Sequence, residues 1–221
     1  MKKIVILLII VISFLGCGGS KQIPDWMNDS FNNLESFKEN YLSGKDRIAE
    51  LQFKKAIDEI KRSGKLEILE KAYLTKYAVH VAVLESFDDT DYLTTDALQP
   101  VLKNRTFYNF LKGSFDKIDE NLLPRQYGGV IKVFRDGKPG DAVHEISRIE
   151  DPLSKLIATG ILIQKNAYDE EILKVAIDTA SQKGWKKALI AYLEKLVLLY
   201  EKKNETEKAA NITQRIQLIK N

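Results

Sequence analysis

Cysteine, histidine, proline and glycine are all scarce in this sequence. It contains one cysteine, two histidines, five prolines and twelve glycines in 221 residues. A single cysteine excludes an internal disulfide and a zinc site built from several cysteines. Long stretches without proline or glycine favour helices over many short strands joined by turns. We therefore predict an all-α fold, in a chain long enough to bury a sizeable core without disulfides.

The sequence also has no large excess of positive or negative charge. Lysine and arginine together number 34 against 31 acidic residues, and two of the lysines are Lys2 and Lys3 at the extreme N-terminus. The rest of the chain is therefore almost neutral. A balance of this kind gives neither the clustered basic face that nucleic-acid binding needs nor a polybasic membrane patch. We predict no nucleic-acid partner.

The sequence lacks the short motifs that carry common chemistry. No GxxxxGK[ST], GxGxxG or GxSxG pattern occurs, and Arg148 stands where His144-Glu145 would need a second histidine to form HExxH. His80 lies in an apolar run, and we interpret it as an interior histidine with satisfied polar atoms rather than a ligand. The sequence therefore predicts no catalytic, cofactor-binding or metal-binding residue, and a protein that is not an enzyme.

Residues 1–16 have the composition of a secretory signal peptide. Lys2 and Lys3 form a positive start, and an aliphatic run from Ile4 to Val11 continues with apolar character through Leu15. The apolar stretch is about a dozen residues long, which is shorter than the ~20 residues that a spanning helix needs. It matches the length of a signal-peptide core.

The segment Phe14-Leu15-Gly16-Cys17 resembles the lipobox of bacterial lipoproteins. The resemblance covers about twenty residues, and Phe14 and Leu15 depart from the commonest residues of the motif. It implies that the chain is cut before Cys17 and that diacylglycerol, with palmitate-like chains, is attached to its thiol. Two or three acyl chains give stable membrane anchoring, whereas one does not. The alternative interpretation is a free cysteine after an uncleaved anchor helix.

The residue after the cysteine bears on location. In lipoproteins of two-membrane bacteria, Asp at that position favours retention at the inner membrane, and this chain has Gly18. The resemblance therefore implies a lipid-anchored protein of the cell envelope, at the outer membrane and facing the periplasm.

The mature chain is predicted to comprise a lipidated tether, 17–24, and one helical domain, 25–221. Apolar residues at three- and four-residue steps predict its helices. Within it, 88–139 is less regular, being interrupted by Pro100, Pro124 and the turn at 136–141. The predicted helices cover 28–43, 46–62, 66–86, 104–112, 115–123, 140–149, 152–166, 169–183, 185–203 and 205–220.

Alanines recur at a regular interval near the C-terminus. Ala142, Ala176 and Ala209 are 34 and 33 residues apart, close to the 34-residue helical hairpin of tetratricopeptide repeats. The pattern Gly44…Ala49-x3-Phe53-x2-Ala56 also resembles the core of such a repeat, as does Tyr200…Ala209. The resemblance implies helical hairpins stacked as a tetratricopeptide-like solenoid. The alternative is an irregular helical bundle.

Three functions remain open from the sequence. The first is a membrane-anchored protein-binding scaffold, or an assembly or regulatory factor of the bacterial envelope, with a protein or peptide partner. The second is a carrier of a small ligand or lipid in the periplasm. The third is a cell-wall hydrolase with a carboxylate in 88–139. No cofactor is expected.

Overall fold

The computed structural model describes residues 24–137 and 139–221, and every regular element in these ranges is helical. The all-α prediction is therefore confirmed. Single turns of 3-10 helix cover Phe115–Lys117, Arg125–Tyr127 and Pro139–Asp141. The α-helices are α1 (Asp25–Leu42), α2 (Asp46–Ser63), α3 (Leu66–Ala82), α4 (Thr90–Leu98), α5 (Leu102–Leu111), α6 (Gly128–Arg135), α7 (Ala142–Ser147), α8 (Pro152–Gln164), α9 (Glu170–Lys183), α10 (Lys186–Lys202) and α11 (Thr206–Lys220).

Helices α1, α2 and α3 form an up-down-up unit around an aromatic core. Gly44 and Gly64 sit between them with φ of 84° and 65°, a left-handed backbone that ends a helix at little cost in glycine. Phe53 of α2 packs on Phe37 of α1 at a centroid distance of 5.1 Å. Only Glu67 and Lys71 of α3 are exposed, so this helix is central in the domain.

The middle section differs from the prediction. The helix predicted over 115–123 is wrong, because only one 3-10 turn, Phe115–Lys117, forms there. Asp119 is the physical reason: its carboxylate accepts from the Asn121 N–H at 3.0 Å, which offers the backbone a turn instead of a helix. Pro124 also disfavours helical geometry in the residue before it. Helix α4 was not predicted, and it starts where the Asp88 carboxylate accepts from the Thr90 N–H at 3.0 Å.

The C-terminal helices follow their sequence signals closely. Asp151 precedes Pro152 and accepts from the Ser154 N–H at 2.7 Å, which is an N-cap followed by proline at the first helical position. Asp169 caps α9 in the same way, and Gly184 ends it with φ of 68°. The helix predicted over 140–149 is shorter, Ala142–Ser147.

At both ends of the domain, helices that are neighbours in the chain pack on each other. The N-terminal helices also pack on the C-terminal ones. Each of α8, α9 and α10 packs on the helix that follows it, and α3 packs on both α2 and α8. Helix α1 also touches α10, where the Trp185 Nε1 donates to Glu39 Oε2 at 2.8 Å. Ala142, Ala176 and Ala209 are buried at their helix contacts. The tetratricopeptide-like arrangement stays a prediction.

Within residues 24–137 and 139–221, no helix is both long enough and apolar enough to cross a membrane.

Candidate binding cleft

A cleft of about 490 Å³ lies beside α10. One wall is the segment that follows α3, and the end of α8 forms another. Its apolar lining consists of Val83, Leu84, Ile163, Ile190, Ala191 and Leu198. Four charged residues stand at its rim, namely Glu85, Lys187, Glu194 and Lys195. Apolar floors with a few placed charges are typical of binding sites.

A second cleft, of about 420 Å³, continues along the same helix between α10 and α11. Both clefts are lined by Glu194 and Leu198, so we treat them together as the α10 cleft. Leu198 lies at their junction and is 57% exposed. Lys220 of α11 pairs with Glu194 of α10 across the cleft, with Nζ 2.9 Å from Oε1.

The segment at the end of α3 forms one wall of the cleft, and it contains a residue with a left-handed backbone. Leu84 has φ of 61°, in the left-handed region that suits glycine or asparagine but costs a residue with a large side chain roughly 1–2 kcal/mol. At the two comparable positions, 166 and 204, the residue is asparagine. The Glu85 N–H donates to the His80 carbonyl at 2.9 Å, which returns the chain over the helix end. The strained turn thus places the Glu85 side chain at the cleft.

Four polar side chains from different parts of the chain meet at this turn, and we call them the closure cluster: Tyr41, His80, Glu85 and Lys187. The Tyr41 hydroxyl donates to Glu85 Oε2 at 2.5 Å. Lys187 Nζ lies 3.0 Å from Glu85 Oε1 and 3.7 Å from the centroid of the Tyr41 ring. It also lies 3.1 Å from Asp46 Oδ1. One lysine of α10 therefore binds to residues of α1, α2 and the segment after α3.

His80 is largely buried within this cluster. Its ring lies 4.8 Å from the Tyr41 ring and 5.3 Å from the Phe87 ring, centroid to centroid. Nδ1 is 3.3 Å from the Tyr41 hydroxyl and 3.5 Å from Glu85 Oε2. Nε2 is buried without a hydrogen-bond partner among the described residues. The interior position agrees with the prediction, but the prediction of satisfied polar atoms holds for Nδ1 alone.

Burial controls the protonation of the two aromatic members of the cluster. It lowers the pKa of His80, although the Glu85 carboxylate opposes the shift. It raises the pKa of Tyr41, and the hydrogen bond to Glu85 acts in the same direction. The cluster is therefore a neutral imidazole and a neutral phenol beside a Lys187–Glu85 ion pair. Its contacts hold the two ends of the helical domain together.

Three carboxylates of the irregular section contact an arginine or tyrosine side chain. Asp96 Oδ2 is 2.6 Å from Arg105 Nη2, and Asp89 Oδ2 accepts from the Tyr108 hydroxyl at 2.8 Å. Glu120 pairs with Arg135. The first two contacts join α4 and the residue before it to α5, and the third joins α6 to the segment after Phe115–Lys117.

The predicted lipidation site and several aromatic and glycine residues lie away from the α10 cleft or outside the described residues. Cys17 is outside the described residues, so its predicted lipidation stays a prediction. Trp26 is half-buried against the core, and Gly129 allows the Glu145 side chain of α7 to approach α6 closely. Four tyrosines on α3 and α10 are buried in the core: Tyr73, Tyr77, Tyr192 and Tyr200.

The α10 cleft itself was not predicted. The apolar residues of α10 that face it, such as Ile190 and Leu198, have the same spacing as core residues. No sequence signal points to it, because only the structure shows that Leu84, in its wall, takes a left-handed backbone. In the part of the chain that the structure describes, no group of three or more His, Cys, Asp or Glu side chains could hold a metal ion. No protein-family model, curated protein or solved structure matches the chain.

Proposed function

We propose that this protein is a lipid-anchored scaffold of the bacterial envelope and that its α10 cleft binds a segment of a partner protein. The observation that carries the binding role is the cleft, which runs along α10 with an apolar floor and charged ends. The anchoring role rests on the resemblance of Phe14-Leu15-Gly16-Cys17 to a lipobox.

The shape of the cleft suits a helical or extended segment of a partner. Helix α10 has 17 residues and is therefore about 25 Å long, which is about four and a half helical turns. The cleft is open along its length, and apolar anchors at helical spacing would meet Ile190, Val197 and Leu198.

The anchor is tested separately from the cleft. The full chain and its Cys17→Ser variant would be expressed in a two-membrane bacterium supplied with an alkyne fatty acid. We expect the fatty acid on the full chain alone, and the full chain alone in the outer-membrane fraction. Fatty-acid labelling of the Cys17→Ser variant, or an unlabelled full chain, would contradict the lipid anchor.

The cleft is tested with a photo-crosslinking amino acid placed at position 198 in living cells. Position 218 is a matched control, because Leu218 is an exposed leucine of α11 that does not line the cleft. We expect one dominant envelope protein crosslinked from 198 and not from 218, and we expect Leu198→Glu to abolish its copurification with the full chain. A lipid or metabolite adduct at 198 would instead favour a carrier, and no adduct would refute the binding role.

A further inference from the structure

The turn between α4 and α5 presents large apolar side chains to solvent. Residues 97–102 read Ala-Leu-Gln-Pro-Val-Leu, so five of the six are apolar. Leu98 is 72% exposed and Leu102 is 65% exposed. Leu93, on the preceding helix, is 44% exposed. These side chains form an exposed apolar patch, of the kind that marks a contact with a membrane or a protein.

Side-chain contacts fix this turn at one end of the α1–α3 unit. Asn104, two residues after the turn, donates from Nδ2 to the Glu67 carbonyl at 3.2 Å, in the first turn of α3. Arg105 and Asp96 form an ion pair across the base of the turn, with Nη2 2.6 Å from Oδ2. The apolar turn is therefore braced beside the N-terminus of α3.

The N-terminus of α1 lies at the same end. Tyr41 near the C-terminus of α1 contacts His80 near the C-terminus of α3, and α2 runs back between these two helices. Since α1 and α3 are thus parallel and of similar length, Asp25 and Leu66 begin at one end of the unit. The chain leaves that end toward Cys17.

The tether length then limits how far this end can be from a membrane. Seven residue steps separate Cys17 from Pro24, and fully extended they span at most about 25 Å. An acyl chain on Cys17, or the apolar run before it, would therefore keep the end of the domain that carries Leu98 and Leu102 close to the lipid surface.

We propose that the turn 97–102 is a membrane-contact surface and that Leu98 and Leu102 insert into the phospholipid bilayer that holds the N-terminal segment. This inference rests on the membrane anchoring of the proposed function. It also gives the orientation of the domain: the end of the α1–α3 unit at which α1 and α3 begin faces the membrane. The end of α11 lies on the far side, because Lys186 Nζ donates to the Lys220 carbonyl at 3.4 Å, near the C-terminus of α1.

Apolar insertion rather than charge drives this contact. Lys61, Lys65 and Lys103 lie at this end without a carboxylate within 4.0 Å in the described part of the chain, but Asp25 and Asp29 are exposed there too. The local charges nearly cancel. We therefore expect the contact to persist at high salt and on vesicles with few anionic lipids.

The test uses the full lipidated chain on vesicles of phosphatidylethanolamine and phosphatidylglycerol. Variants Leu98→Cys and Leu102→Cys would carry an environment-sensitive fluorophore, and Leu218→Cys would be the matched control because Leu218 is at least as exposed and lies at the far end. An acylated Cys17 does not react with the label. Lipids that bear a spin label should quench the fluorophore at 98 and 102 severalfold more than at 218.

The outcomes separate this inference from the anchor. If the chain floats with the vesicles but the three positions are quenched equally, the membrane-contact surface is refuted and the anchor stands. If the chain does not float with the vesicles and the fluorophore reacts with Cys17 of the wild type, the lipid anchor is refuted instead. Equal quenching at the three positions in that sample would refute both the anchor and the membrane-contact surface. A protein adduct, in place of lipid adducts, from a photo-crosslinker at position 98 in cells would also overturn the inference.

Discussion

Glu70 on α3 is a carboxyl group in the interior of the protein. Glu70 is 0% exposed, and its Oε2 accepts a hydrogen bond from Asn104 Nδ2 at 2.8 Å. Oε1 has no hydrogen-bond partner among the described residues, and neither do the buried Tyr92 hydroxyl and Asp96 Oδ1. Burial raises the pKa of Glu70, and the Asp96 carboxylate adds to the shift. Burial therefore destabilises the charged form of the Glu70 side chain relative to the protonated form.

The Glu70→Gln variant should be more stable than the wild type around neutral pH. Because the folded state holds the proton more tightly, wild-type stability falls as pH rises from the unfolded value near 4.5 to the raised folded pKa. Each unit of raised pKa corresponds to about 1.4 kcal/mol of lost stability. Glutamine keeps an acceptor for Asn104 without the charge. Urea unfolding across a pH series measures the difference, which should vanish in acid.

Glu67→Gln is the control for this prediction, since Glu67 is an exposed carboxylate on the same helix. Lys71 lowers the pKa of Glu67, so the contribution of Glu67 to stability has the opposite sign: it is complete above the unfolded pKa and is lost as pH falls through the lowered folded pKa. A Glu70→Gln variant that is less stable than the wild type at neutral pH would show that Glu70 is charged and compensated in the folded protein.

At the scale of elements, α3 and α8 approach so closely that a glycine is required. A methyl group added at Gly160 of α8 would overlap the Val81 carbonyl oxygen of α3 and crowd its side chain. Gly160 has a negative φ, so the requirement comes from space rather than from backbone conformation. This contact joins the N-terminal helices to the C-terminal helices.

The Gly160→Ala variant should lose about 1–3 kcal/mol of unfolding free energy, because backbone atoms cannot move aside as a flexible side chain can. Gly128→Ala is the matched control: Gly128 is also helical, and nothing lies within 4 Å of an added methyl group. It should be neutral or slightly stabilising, by up to ~1 kcal/mol. Chemical denaturation of both variants provides the measurement, and equal effects would argue against the close α3–α8 contact.

At the scale of the whole molecule, contacts between distant parts of the chain join its two ends. Trp185 hydrogen-bonds Glu39, and Lys187 bridges Asp46 and Glu85. In an open array of helical hairpins each unit contacts only its neighbours, so the ends can unfold separately. The closing contacts couple these ends here.

Unfolding should therefore be a single transition, and the two tryptophans of the chain can report it. Trp26 lies at the start of α1 and Trp185 just before α10. In Trp26→Phe and in Trp185→Phe, the remaining tryptophan should unfold at the same denaturant concentration as the far-ultraviolet circular dichroism of that variant. A fluorescence midpoint well below the dichroism midpoint in either variant would mean that one end opens by itself.

The sequence by itself determined the class of fold and most of the helix boundaries. Local signals sufficed where a boundary depends on neighbouring residues: Asp151-Pro152 begins α8, and Gly184 ends α9 because it adopts a left-handed backbone cheaply. The same kind of reasoning failed at 115–123, where helical spacing of apolar residues was outweighed by the turn at Asp119. The lipobox resemblance at Cys17 is also purely local, and it stays a prediction.

Only the tertiary structure decided which helices meet and where a cleft remains. Tyr41, His80, Glu85 and Lys187 are far apart in the chain, and no spacing rule brings them together. Periodicity shows that a residue such as Leu198 lies on an apolar face, but it cannot show whether another helix covers that face. Burial depends on what the rest of the chain places opposite, and that is a property of long-range packing alone.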